Sequence, residues 1–322
     1  MINQVMVLSM NILVTGSYGQ IGSELVPALR EIYGKDKVIA SGRDESKLKI
    51  LGEPYVTLDV TNKEQLGRIV KEHKISIIVH LAAILSARGE NNPQEAWNIN
   101  AIGTYNVLEV ARENKLEQVI VPSTIAVFGP ETPSIPGDVT IMRPKTMYGI
   151  TKVLTELLGE YYYLKYGLDV RGPRLPGVIS WKTMPGGGTT DYAVEAFIEA
   201  IKHKHYTFWV RADTKLPMMY MPDCIKAFIQ LMKTDNSRLR YRFYNVQGMS
   251  FTAEELAQVI KKHIPDFTYD FNPDPLRQRI ADSWPKSLDD TNARIDWGWK
   301  PDWDLEKMAL DMLTNLKKHV VK

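Results

Sequence analysis

The sequence holds a single cysteine, Cys224, among 322 residues. One thiol excludes an intrachain disulfide and any zinc site built on several cysteines. It fits a reducing compartment. No apolar run approaches the roughly 20 residues needed to cross a bilayer. The stretch Met1 to Ser9 has neither lysine nor arginine. It therefore lacks the positive start of a signal peptide and reads as a start-site extension or a frayed arm. On these grounds the expected location is the cytoplasm, with no membrane partner. Charge of one sign is also missing: 40 Lys and Arg face 38 Asp and Glu, a net +2. A polybasic nucleic-acid binder is thereby excluded as a first expectation, though a local site for an anion is not. There is no repeat at a fixed period and no low-complexity tract.

What is present is the composition of an ordinary globule. Hydrophobic residues make up 44% and charged residues 24%, enough to build a core without staples. The length suits two domains, or one large α/β domain with an appendage. The first half alternates short β-rich runs with longer helical patterns. Strands are expected at Asn11 to Thr15, Lys37 to Ala40, Tyr55 to Asp59, Ile75 to Leu81 and Gln118 to Pro122. Helices are expected at Ile21 to Tyr33, Asn62 to Glu72 and Asn92 to Asn114. This alternation predicts an α/β fold, a doubly wound Rossmann parallel sheet.

Composition changes after about residue 180, at the loop Pro185-Gly186-Gly187-Gly188. Helices are then expected at Asp191 to Lys202, Met221 to Lys233, Thr252 to His263 and Trp303 to Val320, with strands at Thr207 to Val210 and Phe243 to Val246. Thr252 and Glu255 have capping-box spacing. The expected division is a dinucleotide-binding domain over 10–180, completed by parts of 205–250, and a small C-terminal substrate lobe over 181–322, interleaved with it.

Gly16-Ser17-Tyr18-Gly19-Gln20-Ile21-Gly22 lies between the first strand and the first helix. In a dinucleotide site Gly16 makes the tight turn, Gly19 lets backbone approach a pyrophosphate, and Gly22 lets the helix lie close to the sheet. The helix N-terminus offers free N–H groups to phosphate. About 20 residues on, a carboxylate is expected at the end of the second strand, to bond the adenosine ribose. Here that position is Gly42, followed by Arg43 and Asp44. Arg43 stacks on adenine, meets a 2′-phosphate, or points into solvent. Asp59, ending the third strand, bonds the adenine amino group or caps the strand end.

Tyr148-Gly149-Ile150-Thr151-Lys152 sets a phenol and an ammonium four residues apart, on one face of a helix. An ammonium beside a phenol favours the phenolate, a competent base for an alcohol. Ser123 and Thr124 supply hydroxyls at a strand's C-terminal end, the edge where open α/β sheets bind ligands. Each of these patterns alone has a bland reading as helix surface or turn cap. In this order with the glycine turn they are far more specific. The run His203-Lys204-His205 lacks further metal ligands at helical spacing and reads as a surface turn, so no metal site is expected.

Taken together, the chain resembles the extended short-chain dehydrogenases/reductases, the superfamily of nucleotide-sugar epimerases and dehydratases. The resemblance runs from Asn11 to near the C-terminus. It rests on the glycine turn, His80-Leu81-Ala82-Ala83, Asn100 with Gly103-Thr104, the run from Ser123 to Gly129, Tyr148 to Lys152, and Trp297-Gly298-Trp299-Lys300-Pro301. Within the group it is most similar to the short-chain-type L-threonine 3-dehydrogenases. The closer marks are Ser86 to Glu90, Pro173 to Trp181, Gly186 to Ala193, and Asp282-Ser283-Trp284-Pro285. Gly42 departs from that family, which usually has Asp there.

The resemblance implies an NAD-dependent oxidation of the L-threonine β-hydroxyl to 2-amino-3-oxobutyrate, as part of threonine catabolism. It implies Tyr148 as base, Lys152 as holder of the nicotinamide ribose, and Thr124 as the hydroxyl that orients the substrate, with Ser123 assisting. The implied cofactor site comprises Gly16, Gly19, Gln20, Ile21, Gly22, Gly42, Arg43, Asp59, Val60, Leu81, Ala82, Ala83, Asn100 and Leu175, with Tyr148 and Lys152. The implied substrate site comprises Ser86, Thr124, Tyr148, Gly188, Thr189 and Trp284. A homodimer through the Tyr148 helix and the helix from Asn92 to Asn114 is also implied. The competing enzyme is a nucleotide-sugar epimerase or dehydratase, which needs a second diphosphate site, with Arg211 or Arg277 as candidates.

Overall fold

The computed structural model describes residues 10–184 and 186–320. The arm expected over residues 1–9 lies outside the described residues, as does Pro185 of the glycine loop. Strands β1 (Asn11–Thr15), β2 (Val38–Gly42), β3 (Tyr55–Thr57), β4 (Ile75–His80) and β5 (Gln118–Ile120) come first. They are followed by β6 (Ser123–Thr124), β7 (Asp169–Leu175), β8 (Gly177–Ile179) and β9 (His205–Phe208). The last four are β10 (Lys215–Tyr220), β11 (Phe243–Asn245), β12 (Met249–Thr252) and β13 (Thr268–Phe271).

The main sheet runs β11-β7-β5-β4-β1-β2-β3, every pairing parallel, with the short β6 beside β7. Its order reverses between β1 and β4, the switch point at which such sheets open a ligand crevice. Strand side chains alternate between the two covered faces. Ile12 and Val14 pack with Leu25, Leu29 and Phe228 on one side, and Leu13 packs with Leu66, Ile78 and Val107 on the other. Burial on both faces explains why β4 reads as a continuous apolar run.

The remaining strands form a β12-β10-β8 sheet and a β13-β9 pair. Helices Tyr192–Lys202, Ala253–His263 and Leu305–Val320 close over them around Tyr192, Phe197, Leu256 and Met312. The capping box is present: Thr252 N–H donates to Glu255, and Glu255 N–H donates to Thr252 Oγ1 at 3.1 Å. The strand expected at Thr207 to Val210 is β9, two residues earlier. Strand β7 was not expected because Arg171, Gly172, Pro173 and Arg174 give it no β pattern. Its arginines are buried against carboxylates instead of being solvated. Among the described residues no helix is long and apolar enough to cross a membrane.

The helix expected from Asn92 to Asn114 is interrupted. Pro93–Ala96 leads into a π-helical turn, Trp97–Ile102, before Gly103–Glu113 resumes the α-helix. The helix carrying Tyr148 spans Met147–Tyr166, with Thr146 capping its start by accepting from Gly149 N–H at 3.1 Å. Its buried residues are Gly149, Thr151, Lys152, Thr155, Glu156, Gly159 and Tyr162. Its exposed residues include Ile150, Leu157, Tyr161 and Leu164. The usual amphipathic order is inverted, polar side inward.

Candidate active site

The glycine turn follows β1 at the switch point. Gly16 has φ +69°, and a Cβ there would stand 2.7 Å from Ala82 N. A Cβ on Gly22 would stand 2.6 Å from Gly16 O, and one on Gly19 3.2 Å from the same oxygen. The three glycines thus let the turn pack against its own backbone and that of Leu81 and Ala82, where a side chain would collide, and Gly16 and Gly19 line the cavity above it. No side chain caps helix Gly22–Tyr33; Ser23, Glu24 and Leu25 N–H donate to Gly19 O and Ile21 O, which leaves the N–H groups of Gln20, Ile21 and Gly22 without an acceptor among the described residues and available to an anion. The residues present fit a dinucleotide.

Two cavities meet over this turn, of about 220 and 300 Å³, sharing Gly16, Gly19, Leu81 and Ala83. The second is also lined by Gly42, Arg43, Asp59, Val60 and Ala82. Asp59 Oδ1 accepts from the Thr61 N–H at 2.9 Å and its hydroxyl at 2.8 Å, so the carboxylate caps the strand end while facing the cavity. The first contains Gln20, Ile21, Gly22, Leu175, Ser123, Thr124, Tyr148 and Lys152. All six expected substrate residues line it as well: Ser86, Thr124, Tyr148, Gly188, Thr189 and Trp284.

The phenol of Tyr148 faces the cavity with Thr124, whose hydroxyl pulls its pKa down, but burial outweighs that and pushes it up to about 12. Lys152 Nζ donates to Pro122 O at 2.8 Å and sits 5.9 Å from the centre of the Tyr148 ring. Burial lowers Lys152 to about 8, and Glu156 holds it from falling further. The expected lowering of the phenol by Lys152 is therefore absent in this geometry: the ammonium is engaged elsewhere and desolvation dominates.

Ser123 differs from its expected role as well. Its hydroxyl donates to Glu156, so of the two adjacent hydroxyls Thr124 alone acts on the phenol. Glu156 in turn accepts from Arg174 Nε at 2.9 Å and from its terminal nitrogen at 2.7 Å. Arg174 continues to Asn245 Oδ1 at 2.7 Å. This buried group lies one turn beyond Lys152 and carries no sequence motif of its own.

Asn100 lines neither cavity. Its amide accepts from Ile84 N–H at 2.8 Å and donates to Ile84 O at 3.0 Å and to Thr151 Oγ1 at 3.2 Å. The expectation of a cofactor contact gives way to a brace between the loop after β4 and the Tyr148 helix. Asn100 sits buried within the π-helical turn Trp97–Ile102. The brace extends through Thr104, whose hydroxyl donates to Asn100 O at 2.6 Å, to His80 Nε2 at 3.2 Å. Since Thr104 has given its proton to Asn100, His80 Nε2 must donate, leaving Nδ1 to accept from Thr15 at 2.8 Å. Burial holds His80 neutral, with its pKa lowered to about 3.

At the substrate end the buried Ser86 and Thr189 hydroxyls meet at 3.2 Å in the cavity wall. Asp191, missed in the sequence, fixes the glycine loop by accepting from Gly187 and Gly188 N–H, both at 2.8 Å. The signal was present, as an acid following a Gly-Gly-Gly-Thr-Thr run. Trp284 is half-buried and packs against the cluster of Phe128 and Leu288 while lining the cavity. His203 and His205 lie in and just after the turn before β9, outside both cavities.

Residues 12–246 match the NAD dependent epimerase/dehydratase family. A mitochondrial L-threonine 3-dehydrogenase of Bos taurus is 47% identical over 304 residues, 94% of this chain and 81% of the relative. The crystal structure of L-threonine dehydrogenase from Phytophthora infestans superposes with a TM-score of 0.93 at 51% identity, covering 96% of this chain and 99% of that one. A monomeric L-threonine 3-dehydrogenase from a metagenome superposes with a TM-score of 0.90 at 46% identity, covering 96% and 99%.

Proposed function

The chain belongs to the NAD dependent epimerase/dehydratase family, and we propose that it is an NAD-dependent dehydrogenase that oxidises the β-hydroxyl of L-threonine to 2-amino-3-oxobutyrate. The observation that carries this reading is the Tyr148–Thr124 hydroxyl pair facing a cavity walled by Ser86 and Thr189. Residues 10–180, completed by segments of 205–250, hold the dinucleotide, and 181–322 close over the substrate. Gly16, Gly19 and Gly22 admit the pyrophosphate to the helix N-terminus. Bound NAD supplies the hydride acceptor. Thr124 orients the substrate oxygen toward Tyr148, which in its phenolate form, the minor one at neutral pH given a pKa of about 12, takes the hydroxyl proton as the hydride leaves C3. Lys152, charged at neutral pH with a pKa of about 8, anchors the nicotinamide ribose. Ser86, Thr189 and the loop N–H groups receive the substrate carboxylate, and Trp284 excludes water.

The epimerase alternative fits less well. Arg211 is paired with Asp282 at 2.7 Å, and Arg277 stacks on Trp209 at 4.0 Å. Neither lines the cavity, so neither is placed for a second diphosphate. The deciding experiment is NADH formation from L-threonine by purified, folded protein, with UDP-galactose as the control substrate. Absence of NADH with L-threonine sinks the reading.

Two further assignments belong to the same proposal. The outward apolar residues Leu157, Tyr161 and Leu164, beside Trp97, Ile102 and Tyr105, form a face suited to a second copy. Light scattering at micromolar concentration should give a dimer; a monomer, the state named for the metagenomic relative, would oppose it. The buried, lone Cys224 suits a cytoplasmic location, which fractionation would check.

A further inference from the structure

The adenosine end of the cleft is not merely missing a carboxylate. A Cβ on Gly42 would lie 2.3 Å from Tyr18 Cε1 and 3.0 Å from Cδ1. The tyrosine ring therefore covers the place where an acidic side chain would start. Asp44, the next acid along, is turned away. Its Oδ1 accepts from Ser46 N–H at 3.0 Å and Ser46 hydroxyl at 2.6 Å, capping helix Glu45–Leu51. Lys47, on that helix, places its ammonium 5.4 Å from the centre of the Tyr18 ring. Arg43 is exposed and makes no hydrogen bond or ion pair among the described residues. The charged residues lining this cavity are Arg43, Lys47, Arg88 and Asp59; Lys47 is paired with Asp44 at 3.9 Å and Arg88 with Glu95 at 3.7 Å, which leaves Arg43 as the cation with no carboxylate partner among the described residues.

In a dinucleotide fold an acid at the end of the second strand bonds the 2′-hydroxyl of NAD and repels a phosphate there, whereas a nearby arginine accommodates the 2′-phosphate of NADP. We propose that this cleft is built to receive a 2′-phosphate, so that the protein binds NADP(H) as well as NAD(H), with Arg43 meeting the added phosphate. Lys47 supports it from the next helix, and Tyr18 fills the space vacated by the acid. Arginine suits this task because its planar fork pairs with phosphate through parallel charge-assisted bonds. The proposal rests on the dinucleotide reading of the cleft, not on the identity of the substrate.

The test isolates the 2′-phosphate. Adenosine 2′,5′-bisphosphate and adenosine 5′-monophosphate are titrated calorimetrically into the full chain. The bisphosphate should bind about tenfold tighter or better, by an advantage that shrinks with added salt. Arg43→Ala should bring the two within about twofold of each other. A double variant, Gly42→Asp with Tyr18→Ser, should reverse the preference, read as NADH against NADPH binding by fluorescence. Equal or tighter binding of the monophosphate overturns the proposal, as does an advantage that survives Arg43→Ala. The calorimetric titrations contain neither threonine nor nicotinamide, so their failure is distinguishable from a failure to oxidise threonine.

Discussion

Replacing Glu156 by glutamine should couple a stability loss to a change in the pH dependence of turnover. Glu156 is 5% exposed, and its partner Arg174 is 2% exposed. Removing one member of a buried ion pair costs about 3–5 kcal/mol, because the other charge is left unpaired. Glutamine keeps an oxygen for Ser123 and Arg174 Nε, but it turns an NH₂ group toward the second guanidinium nitrogen. Arg174 would retain Asn245 at 2.7 Å and Asp138 at 3.8 Å. These partners place the loss near the lower end, about 3 kcal/mol. Lys152 should respond as well. Its pKa of about 8 is set by burial, which lowers it, and by Glu156, which raises it. Without the carboxylate it falls, and a lysine loses its charge as pH rises through its pKa. A fall of about one pH unit would take Lys152 from roughly nine-tenths charged to half charged at pH 7. The ratio of variant to wild-type kcat should therefore decline as pH rises, from about one half at neutrality. Urea unfolding measures the first effect and a kcat profile measures the second. A loss under about 1 kcal/mol together with a pH-independent kcat ratio would refute the coupling.

Three other outcomes follow from the same geometry. Tyr148→Phe should lower kcat by about 10²–10⁴ while NADH fluorescence titration shows a far smaller change in affinity; a variant with wild-type turnover would remove Tyr148 from the chemistry. Gly16→Ala should weaken both folding and dinucleotide binding, since it puts a Cβ 2.7 Å from Ala82 N at φ +69°; an unchanged melting temperature would count against the tight turn. His80 has a folded pKa of about 3 against 6.5 for a free side chain. The unfolded chain therefore binds more protons in that window, and stability falls as pH drops from 6.5 toward 3 by up to roughly 5 kcal/mol. His80→Gln should flatten that acid slope in urea titrations, and an unaltered slope would show that other groups set it.

What the sequence discloses and what it hides divide along physical lines. The glycine turn, the capping box and the early strands are local patterns, and local patterns survive in a linear reading. Strand β7 did not appear because its content is polar and contains proline. Tertiary contacts with Leu231 O and Thr234 O, and with Glu156 and Asn245, are what satisfy Arg171 and Arg174 inside the sheet. Asn100 is singled out by family likeness, but its bonds to Ile84 and Thr151 join segments far apart in the chain, and helical periodicity does not show them. The Lys152 spacing correctly puts an ammonium on the Tyr148 face. The 2.8 Å bond that draws it to Pro122 O depends on a chain segment thirty residues away.

The Tyr148 helix explains why site and surface must be read together. An ordinary amphipathic helix buries its apolar stripe and leaves its polar side to water. Here Thr151, Lys152, Thr155 and Glu156 are buried while Leu157 and Leu164 are 56% and 74% exposed. Burying polar groups is costly unless each finds a partner. Thr151 meets Asn100, Lys152 meets Pro122 O, Thr155 donates to Thr151 O, and Glu156 meets Ser123 and Arg174. Tyr162, Leu158 and Val153 give this helix its apolar packing against the core, and the hydrogen bonds of the polar residues beside them fix its position as well. The leucines displaced to the outside are the counterpart of that arrangement. They leave an apolar face whose burial, by a second copy, would stabilise the same helix from the opposite side.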